Sequence, residues 1–233
     1  MHISILNDVL DGERLSEIRR LVESAQFVDG RLSAAPGVRK TNLELANQTE
    51  RHTEVLEIVE CAVRQHAELN MTAFPRYMTR PIISRYDVGM RYDEHVDAPV
   101  MGFMAPSSRW LSPVGANYVR SDLSMTLFLS PPDSYDGGEL CFDATTGPIR
   151  TKLAAGSAIL YPTGVRHSVA EITRGVRLAA IFWIQSMFPN EAHRSAIIDA
   201  NRLVTMLRST PESPSFLLAQ QNLFNLCRLL AEV

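Results

Sequence analysis

Two kinds of hydrophobic pattern follow one another along the chain. Residues 11–25, residues 49–68 and the region after Pro189 repeat apolar residues every three to four positions, which is typical of amphipathic helices. Between them, short apolar runs recur at the spacing of about 8 to 12 residues that indicates a β-sandwich or a barrel. The predicted strands are 81–86, 123–129, 138–142, 158–161, 165–172 and 176–184.

These elements predict a mainly β fold with flanking helices, in one domain of 233 residues. Residues 1–80 are expected to form an N-terminal helical support region, residues 81–188 the β core, and residues 189–233 a C-terminal helical region. Residues 101–120 show neither pattern and are expected to be a mobile insertion. The apolar C-terminal helix suits core packing as well as contact with a second copy, so a homodimer stays open.

Composition narrows the class of protein. With 45% hydrophobic and 21% charged residues, the chain can bury a core. The formal net charge of −3 argues against a nucleic-acid or anionic-membrane partner, and no apolar run is long enough to span a bilayer. Three widely spaced cysteines without a C-x-x-C pair, and an N-terminus without a signal-peptide pattern, predict a reducing, cytoplasmic location.

A histidine followed two positions later by an acid occurs three times, at His52, His66 and His95. The first two lie in the second predicted helix, where residues two apart point about 200° from each other and cannot hold one metal ion. His95 and Asp97 follow a predicted strand, and on extended backbone residues two apart share a face. His95 and Asp97 are therefore candidate metal ligands, whereas His52 and His66 are expected on solvated helix faces.

His167, in another predicted strand, is the candidate third ligand. Two histidines and one carboxylate form the facial triad of non-haem Fe(II) oxygenases, which leaves three metal positions for a chelating co-substrate and O₂. A zinc hydrolase would accept the same donor set. The ligand types alone therefore do not decide the metal.

Arg177 favours the oxygenase interpretation. It follows His167 by ten residues, across a turn at residues 173–175. If the two strands form a hairpin, Arg177 faces the same interior as His167 and lies about 13 Å deeper, because a strand rises roughly 3.3 Å per residue. That distance suits an extended dicarboxylate bound by a guanidinium. A register shift of one residue would instead place Arg177 outside.

In their order along the chain, these and neighbouring motifs resemble the bacterial PKHD-type hydroxylases. Those proteins are relatives of the prolyl and lysyl hydroxylases among the Fe(II)- and 2-oxoglutarate-dependent dioxygenases. The resemblance covers almost the whole chain. Its motifs are Phe27–Arg31, Lys40–Leu43, Arg85–Asp97, Ser121–Ser130, Tyr135–Leu140, Leu160–Pro162, Ile172–Arg177 and Trp183–Ser186.

The resemblance implies a double-stranded β-helix (jelly-roll) core, with iron held by His95, Asp97 and His167 and 2-oxoglutarate held by Arg177. It implies hydroxylation of an unactivated C–H bond of an amino acid, a peptidyl residue or a small metabolite. The reaction would consume O₂ and release succinate and CO₂, with ascorbate as a candidate reductant. No catalytic residue beyond the metal ligands is expected.

The resemblance also implies roles for other side chains. Hydroxyl groups near the co-substrate are expected at Tyr86 and Ser124, and the substrate pocket is expected to include Tyr92, Trp183, Arg39, Lys40 and Asn42. Three other interpretations stay open. They are a non-catalytic sensor or binding module for iron and 2-oxoglutarate, a nucleic-acid demethylase on the same core, and a zinc- or manganese-dependent cupin-like isomerase.

Overall fold

The computed structural model describes residues 3–35, 37–47, 49–101, 118–144 and 147–232. Its helices are α1 (Gly12–Glu23), α2 (Glu50–Gln65), α3 (Ala67–Ala73), α4 (Glu191–Met206) and α5 (Pro214–Leu230). Its strands are β1 (Ser4–Leu6), β2 (Phe27–Asp29), β3 (Lys40–Thr41), β4 (Leu43–Leu45), β5 (Pro75–Met78), β6 (Ile82–Tyr86), β7 (Arg91–His95), β8 (Val100–Met101), β9 (Val119–Arg120), β10 (Leu123–Phe128), β11 (Asp136–Gly137), β12 (Leu140–Ala144), β13 (Gly147–Thr151), β14 (Ala158–Pro162), β15 (His167–Val169), β16 (Ile172–Arg174) and β17 (Arg177–Ser186).

Two antiparallel sheets face each other across the interior. The large sheet has eight strands in the order β1-β14-β10-β17-β6-β4-β2, with β5 paired to the end of β17. The small sheet has five strands in the order β13-β12-β15-β7-β3. Two short ribbons, β8-β9 and β11-β16, complete the strand pairing of the described residues. The architecture is a jelly-roll core with flanking helices, which confirms the predicted fold class.

The long strand β17 shows how the large sheet is packed. Because successive side chains on a strand point to opposite faces, its residues divide into two sets. One set lines a cavity between the two sheets through Arg177, Ile181 and Trp183. The other set packs against the apolar faces of α1 and α2 and consists of Leu178, Ala180, Phe182 and Ile184.

The helices support the large sheet from outside. Asp11 caps α1 by accepting the Arg14 N–H, and Thr49 caps α2 by accepting the His52 N–H. At the other end of the chain, α4 and α5 pack against each other through a separate apolar cluster. Within the described residues, no helix combines the length and the apolar composition needed to cross a bilayer.

The second predicted helix is divided in two at His66. The backbone of His66 is extended, with φ of −73° and ψ of 109°, and separates α2 from α3. Its Nδ1 accepts the Leu69 N–H at 3.2 Å, so the side chain caps α3. The solvated helix face expected for His66 is therefore wrong. His52 is half-buried on α2.

The N-terminal region contributes strands in addition to the predicted helices. Residues 1–80 contribute β1 to β5, which extend both sheets. These strands have two to four residues each, which is too short for a period-two pattern to be recognised. The predicted strand 165–172 is similarly replaced by the short strands β15 and β16. Most of the predicted insertion lies outside the described residues, and the segments at its two ends pair as β8 and β9.

Candidate active site

The candidate metal ligands meet on the small sheet. His95 ends β7, His167 begins β15, and the two residues are direct cross-strand partners. Asp97 follows His95 by two residues, just beyond the strand. One ligand atom from each of the three side chains lies within 4.8 Å of the other two. Residues that are far apart in the sequence thus converge on one point.

Backbone hydrogen bonds orient both imidazoles. Nδ1 of His95 lies 2.9 Å from the carbonyl of Asp93, and Nδ1 of His167 lies 2.9 Å from the carbonyl of Val165. A carbonyl oxygen can only accept, so each Nδ1–H is the donor and each Nε2 is the ring nitrogen left for a ligand. The two Nε2 atoms face the Asp97 carboxylate, at 3.6 and 3.8 Å.

The donor set fits a divalent iron. Burial, together with the neighbouring His167, lowers the pKa of His95 to about 4. His95 is therefore neutral at pH 7, and neutral imidazole is the form that binds a metal. Two imidazole nitrogens and one carboxylate are the ligand types of the facial triad. Among the residues that the structure describes, no other group of three His, Cys, Asp or Glu side chains converges in this way.

A cavity between the two sheets opens onto these three side chains. It encloses about 540 Å³ free of protein atoms, including the open solvent at its mouth. The large sheet lines it with Ser84, Tyr86, Thr126, Arg177, Ile181 and Trp183, and the small sheet with Lys40, Tyr92, Leu140 and Val169.

Arg177 places a buried positive charge in the wall of this cavity. The residue is 1% exposed, and its guanidinium lies 5.3 Å from the ring centre of Tyr86 and 5.5 Å from that of Phe128. Within the described part of the chain, no carboxylate forms an ion pair with it and its Nε has no hydrogen-bond partner. Because an unpaired buried charge is costly, this arrangement indicates a site for an anionic ligand.

Arg177 reaches the cavity by a different path from the predicted one. His167 lies in the small sheet and Arg177 in the large sheet, so their strands face each other instead of forming a hairpin. Between them, β16 pairs with β11, and Gly175 turns the chain with φ of 75°. The predicted hairpin is therefore wrong, and the depth derived from it no longer applies. Alternation along β17, with Arg177 on the same face as Trp183, is what directs the guanidinium inward.

Tyr92 and Lys40 form the wall beside His95. The Tyr92 ring stacks on the His95 imidazole with ring centres 3.6 Å apart, and its hydroxyl accepts the Ala35 N–H at 2.7 Å. The Lys40 ammonium is bound by the Glu44 carboxylate at 2.7 Å. Because β3 belongs to the small sheet and β4 to the large one, this buried ion pair joins the two sheets. A substrate that contacts Lys40 would share its ammonium with Glu44.

Tyr86 and Trp183 lie on the same wall as Arg177. Burial raises the pKa of Tyr86 far above its usual value, so its hydroxyl stays protonated and able to donate. The Nε1–H of Trp183 is buried and has no hydrogen-bond partner among the described residues. Arg177 and Trp183 are six residues apart, or about 20 Å along the strand. They therefore lie toward opposite ends of the cavity.

Ser124, predicted to lie near the co-substrate, contacts a metal-ligand candidate instead. Its hydroxyl is fully buried, donates to Oδ2 of Asp97 at 2.7 Å and lies 3.0 Å from Oγ1 of Thr163. It is not among the residues that line the cavity. The structure thus places Ser124 behind Asp97.

Two predicted pocket residues do not line the cavity. Asn42 is 3% exposed, lies where the chain crosses from β3 to β4, and donates its side-chain amide to Ser84 at 3.3 Å. Arg39 is exposed and borders a separate surface depression. The structure therefore does not support the substrate contacts predicted for Asn42 and Arg39.

Beyond the residues that only line the cavity, three residues that contact predicted site residues were missed in the sequence. Phe128 lies in the predicted strand 123–129 on the same face as Ser124, and Thr163 continues the alternation of Tyr161 two residues beyond the predicted strand 158–161, so strand alternation would have found both. Glu44 is four residues from Lys40, but the chain changes sheet between them. No spacing rule for a helix or a strand reveals that contact.

Comparisons with known proteins identify the class of enzyme. The model of the 2OG-Fe(II) oxygenase superfamily matches residues 81–185. A prolyl hydroxylase from Trichoplax adhaerens, in complex with a hypoxia inducible factor peptide fragment, superposes with a TM-score of 0.57 at 15% identity, over 83% of this chain and 86% of that one. A viral collagen prolyl hydroxylase from Paramecium Bursaria Chlorella virus-1 superposes with a TM-score of 0.52 at 15% identity, over 80% and 97%. The fold and the family model define a 2-oxoglutarate-dependent dioxygenase.

Sequence relatives narrow this class to one family. A PKHD-type hydroxylase of Gluconacetobacter diazotrophicus is 40% identical over 203 residues, which cover 86% of each chain. A PKHD-type hydroxylase of Caulobacter sp. (strain K31) is 36% identical over 230 residues, and YbiX of Escherichia coli O1:K1 is 36% identical over 228 residues, in both cases over 97% of each chain. The chain belongs to the PKHD-type hydroxylase family.

Proposed function

We propose that this protein hydroxylates an unactivated C–H bond of an amino acid, a peptidyl residue or a small metabolite, while it consumes O₂ and converts 2-oxoglutarate to succinate and CO₂. The observation that best supports this proposal is one cavity that contains both three converging metal ligands and the buried Arg177, whose guanidinium has no carboxylate partner among the described residues. A metal site alone would serve several chemistries. The guanidinium adds a binding site for the distal carboxylate of a dicarboxylic acid.

His95, Asp97 and His167 would hold the Fe(II), because their donor types match the facial triad. Bound Fe(II) supplies the activation of O₂ that is coupled to the oxidation of 2-oxoglutarate. The protein fixes the positions of the ligands, orients the co-substrate and keeps water out.

The end of the cavity at Arg177 would bind the 5-carboxylate of 2-oxoglutarate. Its guanidinium would donate charge-assisted hydrogen bonds, which neutralise a charge that the described protein groups leave unpaired. The protonated hydroxyl of Tyr86 is available as a further donor in the same wall. The ring of Phe128 covers the guanidinium and limits access of water to the ion pair.

The substrate, a small molecule or a peptide, would occupy the part of the cavity between Tyr92 and Trp183. The Tyr92 ring lies against the imidazole of His95, so this wall is next to the metal ligands. Trp183 offers an indole wall and an unpaired N–H at the end away from Arg177. Arg39 and Asn42 are left out of the proposal because they do not line the cavity.

Succinate release tests the proposed activity. The protein, purified without O₂ and supplied with Fe(II), is given 2-oxoglutarate together with amino acids, peptides or a metabolite extract, with and without ascorbate. We expect one compound to stimulate succinate release and to gain one oxygen atom, which mass spectrometry detects. Full binding of Fe(II) and 2-oxoglutarate without succinate from any compound would favour the non-catalytic sensor.

Variants of the triad test the site assignment. Asp97→Ala and His167→Ala should abolish Fe(II) binding and succinate release, because each removes one of three protein ligands. His193→Ala, near the start of α4, is the matched control and should leave both unchanged. Continued turnover in either triad variant would contradict the assignment.

A further inference from the structure

The hydroxyl of Ser124 is the only partner that the described residues give to the Asp97 carboxylate by hydrogen bonding. Ser124 lies in the middle of the large sheet, paired with Tyr161 on one side and Trp183 on the other, and it is 0% exposed. A hydroxyl buried this deeply must be hydrogen-bonded to be tolerated. Its bond is to Oδ2 of Asp97, at 2.7 Å.

A second hydroxyl gives this hydrogen bond its direction. Thr163 is 3% exposed and its Oγ1 lies 3.0 Å from Oγ of Ser124. A serine hydroxyl has one proton, and a carboxylate is the stronger acceptor, so Ser124 donates to Asp97 and accepts from Thr163. The order Thr163–Ser124–Asp97 satisfies all three groups and leaves Oδ1 of Asp97 without a hydrogen bond among the described contacts.

We propose that Ser124 is a positioning residue that fixes the orientation of the Asp97 carboxylate, with Oδ1 facing Nε2 of His95 at 3.6 Å and Oδ2 facing Nε2 of His167 at 3.8 Å. Without this hydrogen bond, the carboxylate would be free to rotate about its Cβ–Cγ bond. The proposed function, on which this inference rests, needs Asp97 in a fixed position beside His95 and His167, because these three side chains would hold the Fe(II). The hydrogen bond from Ser124 holds the carboxylate in that position.

Cobalt binding tests this role without measuring turnover. Ser124→Ala should weaken Co(II) binding about 10- to 100-fold, which is the usual effect of losing a hydrogen bond to a metal ligand. It should also change the visible absorption of the Co(II) protein, because a carboxylate that is free to rotate alters the ligand geometry that the spectrum reports. Calorimetry gives the affinity, and the absorption spectrum reports the coordination.

Ser130→Ala is the matched control. Ser130 follows the same strand and is 6% exposed, but its hydroxyl bonds to the backbone of Val176 and Leu178 and not to Asp97. Both alanine variants should lower the unfolding free energy of the metal-free protein to a similar extent, whereas only Ser124→Ala should alter the Co(II) affinity and spectrum. A folded Ser124→Ala protein with unchanged affinity and spectrum overturns the inference.

Thr163→Val provides a second test if Ser124→Ala does not fold. It keeps the shape of the side chain, removes the donor to Ser124, and should change the Co(II) spectrum in the same direction as Ser124→Ala but by less. An unchanged spectrum would contradict the proposed order of donors.

The unmodified protein distinguishes this inference from the proposed function. If it does not bind Co(II) or Fe(II), or if His167→Ala binds them equally well, the proposed function and the inference both fail. If it binds them and Ser124→Ala makes no difference, only the inference fails.

Discussion

The strand β17 has a stable core on one face and a cavity on the other, and both faces are buried. Toward α1 and α2, Ala180, Phe182 and Ile184 are at most 1% exposed and carry no polar side-chain atom. Toward the small sheet, Arg177 and Trp183 are 1% and 8% exposed, yet each keeps a nitrogen without a hydrogen-bond partner among the described residues. The side chains on the core face make their contacts within the protein, whereas those on the cavity face leave polar atoms available to a ligand.

This difference shows that burial alone does not separate a structural residue from a binding residue. Most buried polar atoms in proteins are hydrogen-bonded, so those left unpaired are informative. On the cavity face, the unpaired atoms are donors, at Arg177 and at Trp183. A ligand that satisfies them must bring acceptors, such as the carboxylate and carbonyl oxygens of 2-oxoglutarate.

The largest effect on stability is expected on the core face. Phe182→Ala should lower the unfolding free energy of the metal-free protein by about 3–5 kcal/mol, because it removes a fully buried ring and leaves a cavity. Urea denaturation followed by circular dichroism measures this change. The affinity of the folded fraction for 2-oxoglutarate should stay the same, because Phe182 faces away from the cavity.

Phe182→Leu is the control for this prediction. It keeps most of the apolar volume and should cost less than Phe182→Ala, about 1.5 kcal/mol or below. If Phe182→Ala were as stable as the unmodified protein, the face toward α1 and α2 would not be the stabilising one, and the comparison between the two faces would fail.

On the cavity face, Arg177→Met is expected to weaken ligand binding without lowering stability, which is the reverse of the effect expected for Phe182→Ala. Loss of the guanidinium should weaken 2-oxoglutarate binding roughly 10- to 150-fold, which corresponds to the 1.5–3 kcal/mol of a hydrogen bond to a charged group. The free energy of unfolding without ligand should stay equal or rise, because the variant removes a buried charge that has no ion pair among the described residues. Calorimetric titration with 2-oxoglutarate and urea denaturation measure the two quantities.

Arg174→Met is the matched control for Arg177→Met. Arg174 is three residues earlier, lies on the surface and pairs with Asp136 at 2.7 Å. Its replacement should change neither the affinity for 2-oxoglutarate nor the stability appreciably, because an exposed ion pair contributes little. Equal affinities in the two variants would place the co-substrate away from Arg177.

The fold class could be predicted because the central strands can be recognised from their own hydrophobic pattern. The runs at 123–129, 158–161 and 176–184 are long enough to show strands, and they became β10, β14 and β17. The strands β1 to β5 could not be predicted, because two to four residues are too few for a period and their pairing depends on the rest of the sheet. The break at His66 depends on a side-chain cap that the helical pattern conceals.

In the candidate site too, local patterns predicted some features and could not predict others. Convergence of His95 and Asp97 follows from the spacing of two on extended backbone, and the inward direction of Trp183 follows from its even separation from Arg177. The position of Ser124 behind Asp97 could not be predicted, because Asp97 lies beyond the end of β7 and its carboxylate reaches a strand of the other sheet. Contacts between sheets depend on tertiary packing, which no local pattern encodes.

The smallest effect on stability is expected for Trp183→Phe, which keeps an aromatic ring but removes the indole N–H. The indole nitrogen has no hydrogen-bond partner to lose among the described residues, and the phenyl ring keeps most of the apolar contact with Ile82, Met101 and Val119. The unfolding free energy should therefore change by less than about 1 kcal/mol, whereas Trp183→Ala should cost about 3 kcal/mol or more. Urea denaturation of the metal-free proteins measures both. A loss from Trp183→Phe as large as that from Trp183→Ala would show that the N–H already has a partner in the free protein, and the unpaired donor would no longer distinguish the cavity face from the core face.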